Sequence, residues 1–132
     1  MIKYKAGYKY QLVSDYQYQS SLKIGQLILS DFFSIQPDGL ITASKGYSWD
    51  GASGPTIDTP SNMRASLIHD IIYQAIRDGH IDISWRKDAD KELQKIMIED
   101  GASKTRAYYY YKAVQWFGKS AVKNLKKIFT AP

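Results

Sequence analysis

Polar and apolar residues alternate along Tyr8-Lys-Tyr-Gln-Leu-Val13 and again along Tyr16-Gln-Tyr-Gln19, with Ser14-Asp15 between them. A two-residue period of this kind predicts strands with one buried face, joined by a turn. Leu27-Ile-Leu29 and Phe32-Phe-Ser-Ile35 continue the pattern, and Pro37-Asp38-Gly39 precedes Leu40-Ile-Thr-Ala43. Proline, aspartate and glycine in that order supply turn chemistry, so the first third predicts a small antiparallel sheet of about four strands. The rhythm breaks after Ala43: Gly46, Gly51, Gly54 and Pro55 crowd into the eleven residues from Lys45. That density predicts a defined loop rather than a regular element, and long ordered loops commonly face ligands.

From Thr59-Pro60, an N-cap residue followed by proline, the period lengthens to that of a helix. Leu67, Ile68, Ile71, Ile72, Ala75 and Ile76 form its apolar side, and Gly79 stops the run. A second helix is predicted from Ser84, with Trp85, Ala89, Leu93, Ile96 and Met97 as its stripe, ending at Gly101. A third opens at Ser103 with Ala107, Tyr110, Tyr111, Val114 and Phe117 inward, and Gly118 is expected to divide it from a last amphipathic segment that includes Ile128 and Phe129. The expected fold class is therefore α+β, an N-terminal antiparallel β-sheet followed by three to four α-helices. One domain over 1–132 is expected, divided into a sheet part (1–45), a glycine-rich loop (46–58) and a helical part (59–130).

Composition agrees with a folded chain and narrows its chemistry. With 132 residues and 44% hydrophobic content the chain can bury one core. It has no cysteine, so a disulfide framework and thiolate metal sites are excluded and any metal must use oxygen or histidine ligands. The N-terminus has no apolar signal-peptide core and no run is long enough for a transmembrane segment. The chain is accordingly expected in the host cytoplasm as synthesised, or associated with a virion. The net charge of +5 favours anionic partners.

The residues that invite chemistry sit in the first predicted helix. Leu67-Ile-His69-Asp70-Ile-Ile-Tyr73 sets an imidazole and a carboxylate among isoleucines, and desolvating a carboxylate without a partner is costly. His69 and Tyr73, four residues apart, share a helix face, whereas Asp70 is rotated by about 100° from His69. The connection from Gly79 to Ser84 is short, so the first two helices are expected to be antiparallel neighbours, which brings Asp90 near His69. A histidine acting as general base needs a carboxylate on its far nitrogen to fix the tautomer. A separate carboxylate, supplemented by oxygens of a glycine-rich loop, makes a site suited to Ca²⁺, which would polarise an ester carbonyl.

At these residues the sequence resembles the phospholipase A2 superfamily in its viral and bacterial, cysteine-poor form. The matching features are His69-Asp70-Ile-Ile-Tyr73, the loop Asp50-Gly51-Ala-Ser53-Gly54-Pro55 and Ala89-Asp90. The resemblance implies His69, Asp90 and Tyr73 as catalytic residues and Asp70, Asp50, Gly51, Ser53 and Gly54 around a Ca²⁺ ion. In that loop Ala52-Ser53 replaces part of the superfamily's glycine run and Asp50 adds a carboxylate. A second resemblance covers roughly Tyr8 to Gly118. Gly46-Tyr-Ser-Trp-Asp-Gly-Ala-Ser-Gly-Pro55, His69-Asp70-x-x-Tyr73, Arg86-x-x-Ala89-Asp90 and Tyr111-x-Ala113-Val114-x-x-Phe117-Gly118 are similar to an uncharacterised family of tailed phages and prophages, domain of unknown function 1353. It implies an origin rather than an activity.

Two function classes follow. The first is a phage-encoded, Ca²⁺-dependent lipid esterase of phospholipase type, with phospholipid or an anionic membrane surface as partner. The second is a phage structural or accessory protein, a virion component or host-factor binder without catalysis, whose partners are other phage or host proteins. A lysis-cassette hydrolase for another acyl or peptidoglycan-type substrate lies between them. His69-Asp70 also fits a purely structural pair. His80 follows the glycine that ends the first helix and is expected to be an exposed loop residue, which disfavours a histidine-rich phosphohydrolase centre. Tyr108-Tyr-Tyr-Tyr111 has the composition of a base-stacking platform, but its helical period predicts packing for most of the rings, and nucleic acid is not the expected partner. The lysine-rich C-terminal segment fits either a solvated helix face or a membrane-surface helix.

Overall fold

The computed structural model describes residues 2–5, 10–50 and 60–124, with the side chains of 4, 5 and 117–124 left undescribed. The N-terminal half forms two antiparallel sheets rather than a single sheet. Strands β1 (Tyr4–Lys5), β2 (Tyr10–Leu12) and β7 (Ser48–Trp49) make one, in the order β1-β2-β7. The other, ordered β3-β6-β5-β4, is built from β3 (Tyr16–Gln19), β4 (Ile28–Leu29), β5 (Phe33–Ile35) and β6 (Leu40–Ala43). The alternation along these strands serves its expected purpose: Phe33, Ile35, Ile41 and Ala43 point into the core while Ser34 and Thr42 are only partly covered.

The hairpin between β5 and β6 turns where Pro37-Asp38-Gly39 predicts. Gly39 has φ +98° and its N–H donates to the Gln36 carbonyl at 2.9 Å. A Cβ at this position would run into the Leu22 and Ser20 backbone oxygens, so both conformation and space require glycine. A second expectation fails in this half. The stretch from Lys45 contributes β7, because Gln11 and Tyr10 of β2 pair with Ser48 and Trp49 across a long sequence separation.

Three helices follow: α1 (Pro60–Arg77), α2 (Arg86–Glu99) and α3 (Lys104–Asn124). α1 begins at the predicted proline and ends where Gly79, at φ +80°, closes the last turn through its N–H on the Ile76 carbonyl. Ser103 caps α3, its hydroxyl accepting from the Arg106 N–H at 3.1 Å. A 3-10 turn at Ile83–Trp85, capped by Asp82, precedes α2, so that helix opens two residues later than Ser84. α3 runs unbroken through Gly118, contrary to the expected division; one interior glycine costs only about 1 kcal/mol relative to alanine.

α1 and α2 are antiparallel. Arg64 in the first turn of α1 donates to Asp100 and Glu99 at the end of α2, at 2.9–3.0 Å. The sheets are stitched to the helices by buried polar contacts, Trp49 Nε1 to Ser66 Oγ at 3.0 Å and Tyr18 OH to Glu92 Oε1 at 2.9 Å. One contiguous core results, joining Leu12, Ile35 and Trp49 of the strands with Leu67, Ile71, Ile96 and Val114 of the helices. α1 is enclosed on nearly every side, which is why its polar residues need partners.

Candidate functional site

His69 and Tyr73 project from adjacent turns of α1, and their rings lie 4.1 Å apart between centroids. Asp90 approaches them from the first turns of α2. It accepts from His69 Nε2 at 2.7 Å and from Tyr73 OH at 2.7 Å, both on Oδ1. Asp90 is thus near His69, as the short connection predicts, and forms with it a dyad in which Asp90 is fully buried and His69, like Tyr73, nearly so. Its second oxygen, Oδ2, is also buried and makes no hydrogen bond among the described residues.

This geometry assigns the imidazole tautomer. A carboxylate oxygen accepts hydrogen bonds, so Nε2 carries the proton it shares with Asp90, and in the neutral ring Nδ1 then keeps its lone pair. Burial, with Asp90 alongside as charge and as hydrogen-bond partner, pushes the Tyr73 hydroxyl well above the ordinary tyrosine value, so it remains a donor.

Arg86 completes the arrangement. Its guanidinium lies beside the Tyr73 hydroxyl, where its charge opposes the upward push on that group, and it donates through Nη1 to the Gln115 carbonyl of α3 at 3.0 Å. Arg86 thus links α3 to the surroundings of Tyr73 and Asp90. The sequence contains a signal for this residue, since Arg86 precedes Asp90 by four on α2 and four residues separate neighbours on a helix face; the charge relation to Tyr73 is visible only in three dimensions.

A family model described as "Protein of unknown function (DUF1353)" matches residues 10–114, from β2 into α3. The chain belongs to the DUF1353 family. No curated protein and no solved structure matches it. In this DUF1353 chain the matched span contains His69, Tyr73, Arg86 and Asp90 together.

Asp70 lies on a different face of α1, towards the sheets. It is partly buried and accepts from the Asp50 backbone N–H. Burial pushes its carboxyl up to about 6; the Asp50 charge adds to this, while His69 and Arg77 oppose it. Tyr47 is buried nearby, pushed above the usual tyrosine range by burial and by the Asp70 charge, and donates to Gln74 Oε1 at 3.1 Å. Tyr47, Gln74, Gly46 and Phe32 line a cleft of about 280 Å³ beside them.

Asp70 and Asp50 fit a hard cation in donor type, and a cation would relieve the charge that burial opposes. Gly51, Ser53 and Gly54, the other expected ligands, lie outside the described residues. Among the described residues no group of three or more His, Asp or Glu side chains is arranged to hold a metal ion. His80 is exposed, as expected of a loop residue. No helix among the described residues is long and apolar enough to cross a membrane.

Proposed function

We propose that this DUF1353 protein is a carboxylic ester hydrolase of phospholipase type, encoded by a phage or prophage and acting on phospholipid. The observation that carries the reading is the 2.7 Å contact of His69 Nε2 with a fully buried Asp90 that also accepts from Tyr73. With Nε2 engaged, Nδ1 is the nitrogen that accepts a proton from water as the water attacks an ester carbonyl. Asp90 holds the ring and stabilises the imidazolium that forms, and Tyr73 fixes Asp90. Asp70 and Asp50, with Gly51, Ser53 and Gly54 of the loop, would hold Ca²⁺, which supplies Lewis-acid polarisation of the ester when bound.

Fatty-acid release from anionic phospholipid vesicles, with and without Ca²⁺, tests the reading. Calcium-dependent release by wild type that is lost in His69→Ala supports it; equal and negligible release by both sinks it.

A second reading, a virion component or host-factor binder, is favoured by Leu27, Leu29 and Phe32, each at least half exposed around the edge strand β4. Exposed apolar residues beside an unpaired strand edge suit a protein partner. Presence of the protein in purified particles, with no hydrolysis, would favour this reading over the first.

A further inference from the structure

The outward face of α3 is aromatic and basic where the rest of the surface is mixed. Ala107, Tyr110 and Val114 are buried, whereas Tyr108 and Tyr109 are 52% and 54% exposed and Trp116 is 80% exposed. The expectation that most of the tyrosine run packs inward therefore holds for Tyr110 and in part for Tyr111, and fails for the two rings before them. At about 100° per residue, positions 108, 112, 116, 119 and 123 fall within an arc of about 80°, directly opposite the buried stripe. Three of these five positions are lysine.

α3 carries no acidic residue. From Ser103 onward the sequence holds seven lysines and arginines and no aspartate or glutamate, leaving 11 basic against 13 acidic residues in the rest of the chain. Five of the seven lie in α3 itself, a number equal to the +5 net charge of the chain. Lys112 Nζ lies 5.6 Å from the Tyr108 ring centroid, a cation held over an exposed aromatic face.

We propose that this face docks the protein on an anionic lipid bilayer. Tryptophan and tyrosine favour the headgroup level, where an apolar ring and a polar tip are both accommodated, and lysines snorkel from there to lipid phosphates. A second copy of the chain does not fit, because the face would meet its own charge. A nucleic-acid strand fits less well. The surface is the convex side of one helix rather than a groove, and its cations are lysines, whereas Arg106, the arginine suited to phosphate forks and base stacking, is turned onto the Tyr110 ring at 5.6 Å. Arg86 ties this helix to the dyad through the Gln115 carbonyl, next to Trp116. The inference deepens the esterase reading by naming its surface partner and rests on that reading for its purpose; the face itself is made of residues outside the dyad.

The test is co-sedimentation of the full chain with vesicles of phosphatidylcholine alone or mixed with phosphatidylglycerol, in chelator, so that binding is read without hydrolysis. Binding to the mixed vesicles alone is expected, weakening as salt rises. Lys112→Glu should lower partitioning by at least about fivefold, the contribution of one lysine near an anionic surface, and Trp116→Ala should lower it too. Both positions are exposed, so circular dichroism should be unchanged. Lys45→Glu, the same charge change in the sheet half, should have a smaller effect than Lys112→Glu. His69→Ala should bind as wild type does. Binding here, with no acyl release from the same vesicles once Ca²⁺ replaces the chelator, would refute the esterase and leave the docking face standing. No binding, binding indifferent to lipid charge, equal effects of Lys45→Glu and Lys112→Glu, or tighter binding to oligothymidine than to mixed vesicles at the same salt would overturn the docking proposal.

Discussion

Replacing Asp70 with asparagine should make the protein more stable at neutral pH. The carboxyl is pushed from an ordinary 3.8 up to about 6, first by burial and then by the Asp50 charge. The fold therefore favours the protonated acid, and ionising it in the native state opposes folding. Below pH 3.8 both folded and unfolded chains hold the proton and nothing is lost. As pH rises the unfolded chain ionises first, stability falls, and the loss is complete once pH has passed about 6.

At about 1.36 kcal/mol per pH unit, and with part of Asp70 still in water, the full cost is about 2–3 kcal/mol. Asparagine keeps an oxygen for the Asp50 N–H and never ionises, so the variant should recover that amount. In urea unfolding with chelator, the midpoint of Asp70→Asn should exceed wild type by roughly 1–2 M well above pH 6, and match it near pH 3.8. A lower midpoint above pH 6, or the same difference at both pH values, would refute the electrostatic account. Calcium should raise the wild-type midpoint and leave the variant unmoved. A wild type indifferent to calcium would refute the metal assignment alone.

Tyr73→Phe removes one of the two donors to Asp90 Oδ1 and should cost about 1–3 kcal/mol in thermal unfolding while slowing acyl release; unchanged stability would show that Asp90 does not depend on it. Arg86→Met leaves the Gln115 carbonyl without its donor and removes the cation beside the Tyr73 hydroxyl, so a similar loss is expected, with only partial rescue by lysine, which lacks the guanidinium fork. Glu92 is buried away from the dyad, accepting from Tyr18 OH and the Ser21 N–H. Glu92→Ala should therefore cost about 2–4 kcal/mol of stability without a specific effect on turnover by the remaining folded protein.

The parts of this fold that were legible are those set by local pattern. The α1 residues Ile68, Ile71, Ile72 and Ile76 recur at helical spacing and are all buried, and Gly79 and Ser103 mark helix ends through backbone chemistry that depends only on near neighbours. Asp90 was legible as a partner for His69 because a short connection constrains two helices to lie side by side. Its full burial was not, since that depends on tertiary packing that no local pattern signals.

The same limit explains β7. Ser48 and Trp49 become a strand only because β2 offers them a free edge, and nothing within the glycine-rich stretch signals that pairing. It also explains Glu92, whose partners Tyr18 and Ser21 lie more than seventy residues away. On α3, the helical period marks Tyr110 and Tyr111 as inward; the helix buries the first, partly buries the second and turns Tyr108 and Tyr109 outward.

The proposed chemistry depends most on Asp90 holding the His69 proton on Nε2 and leaving Nδ1 free. Nitrogen-15 NMR of the histidine rings reads this without a substrate. Wherever the His69 ring is neutral it should report a protonated Nε2 and an unprotonated Nδ1, and Asp90→Asn should alter that pattern while the exposed His80 stays the same. A wild-type His69 with its proton on Nδ1, or with both tautomers populated as in free imidazole, would contradict the assignment of His69 as an Asp90-oriented base.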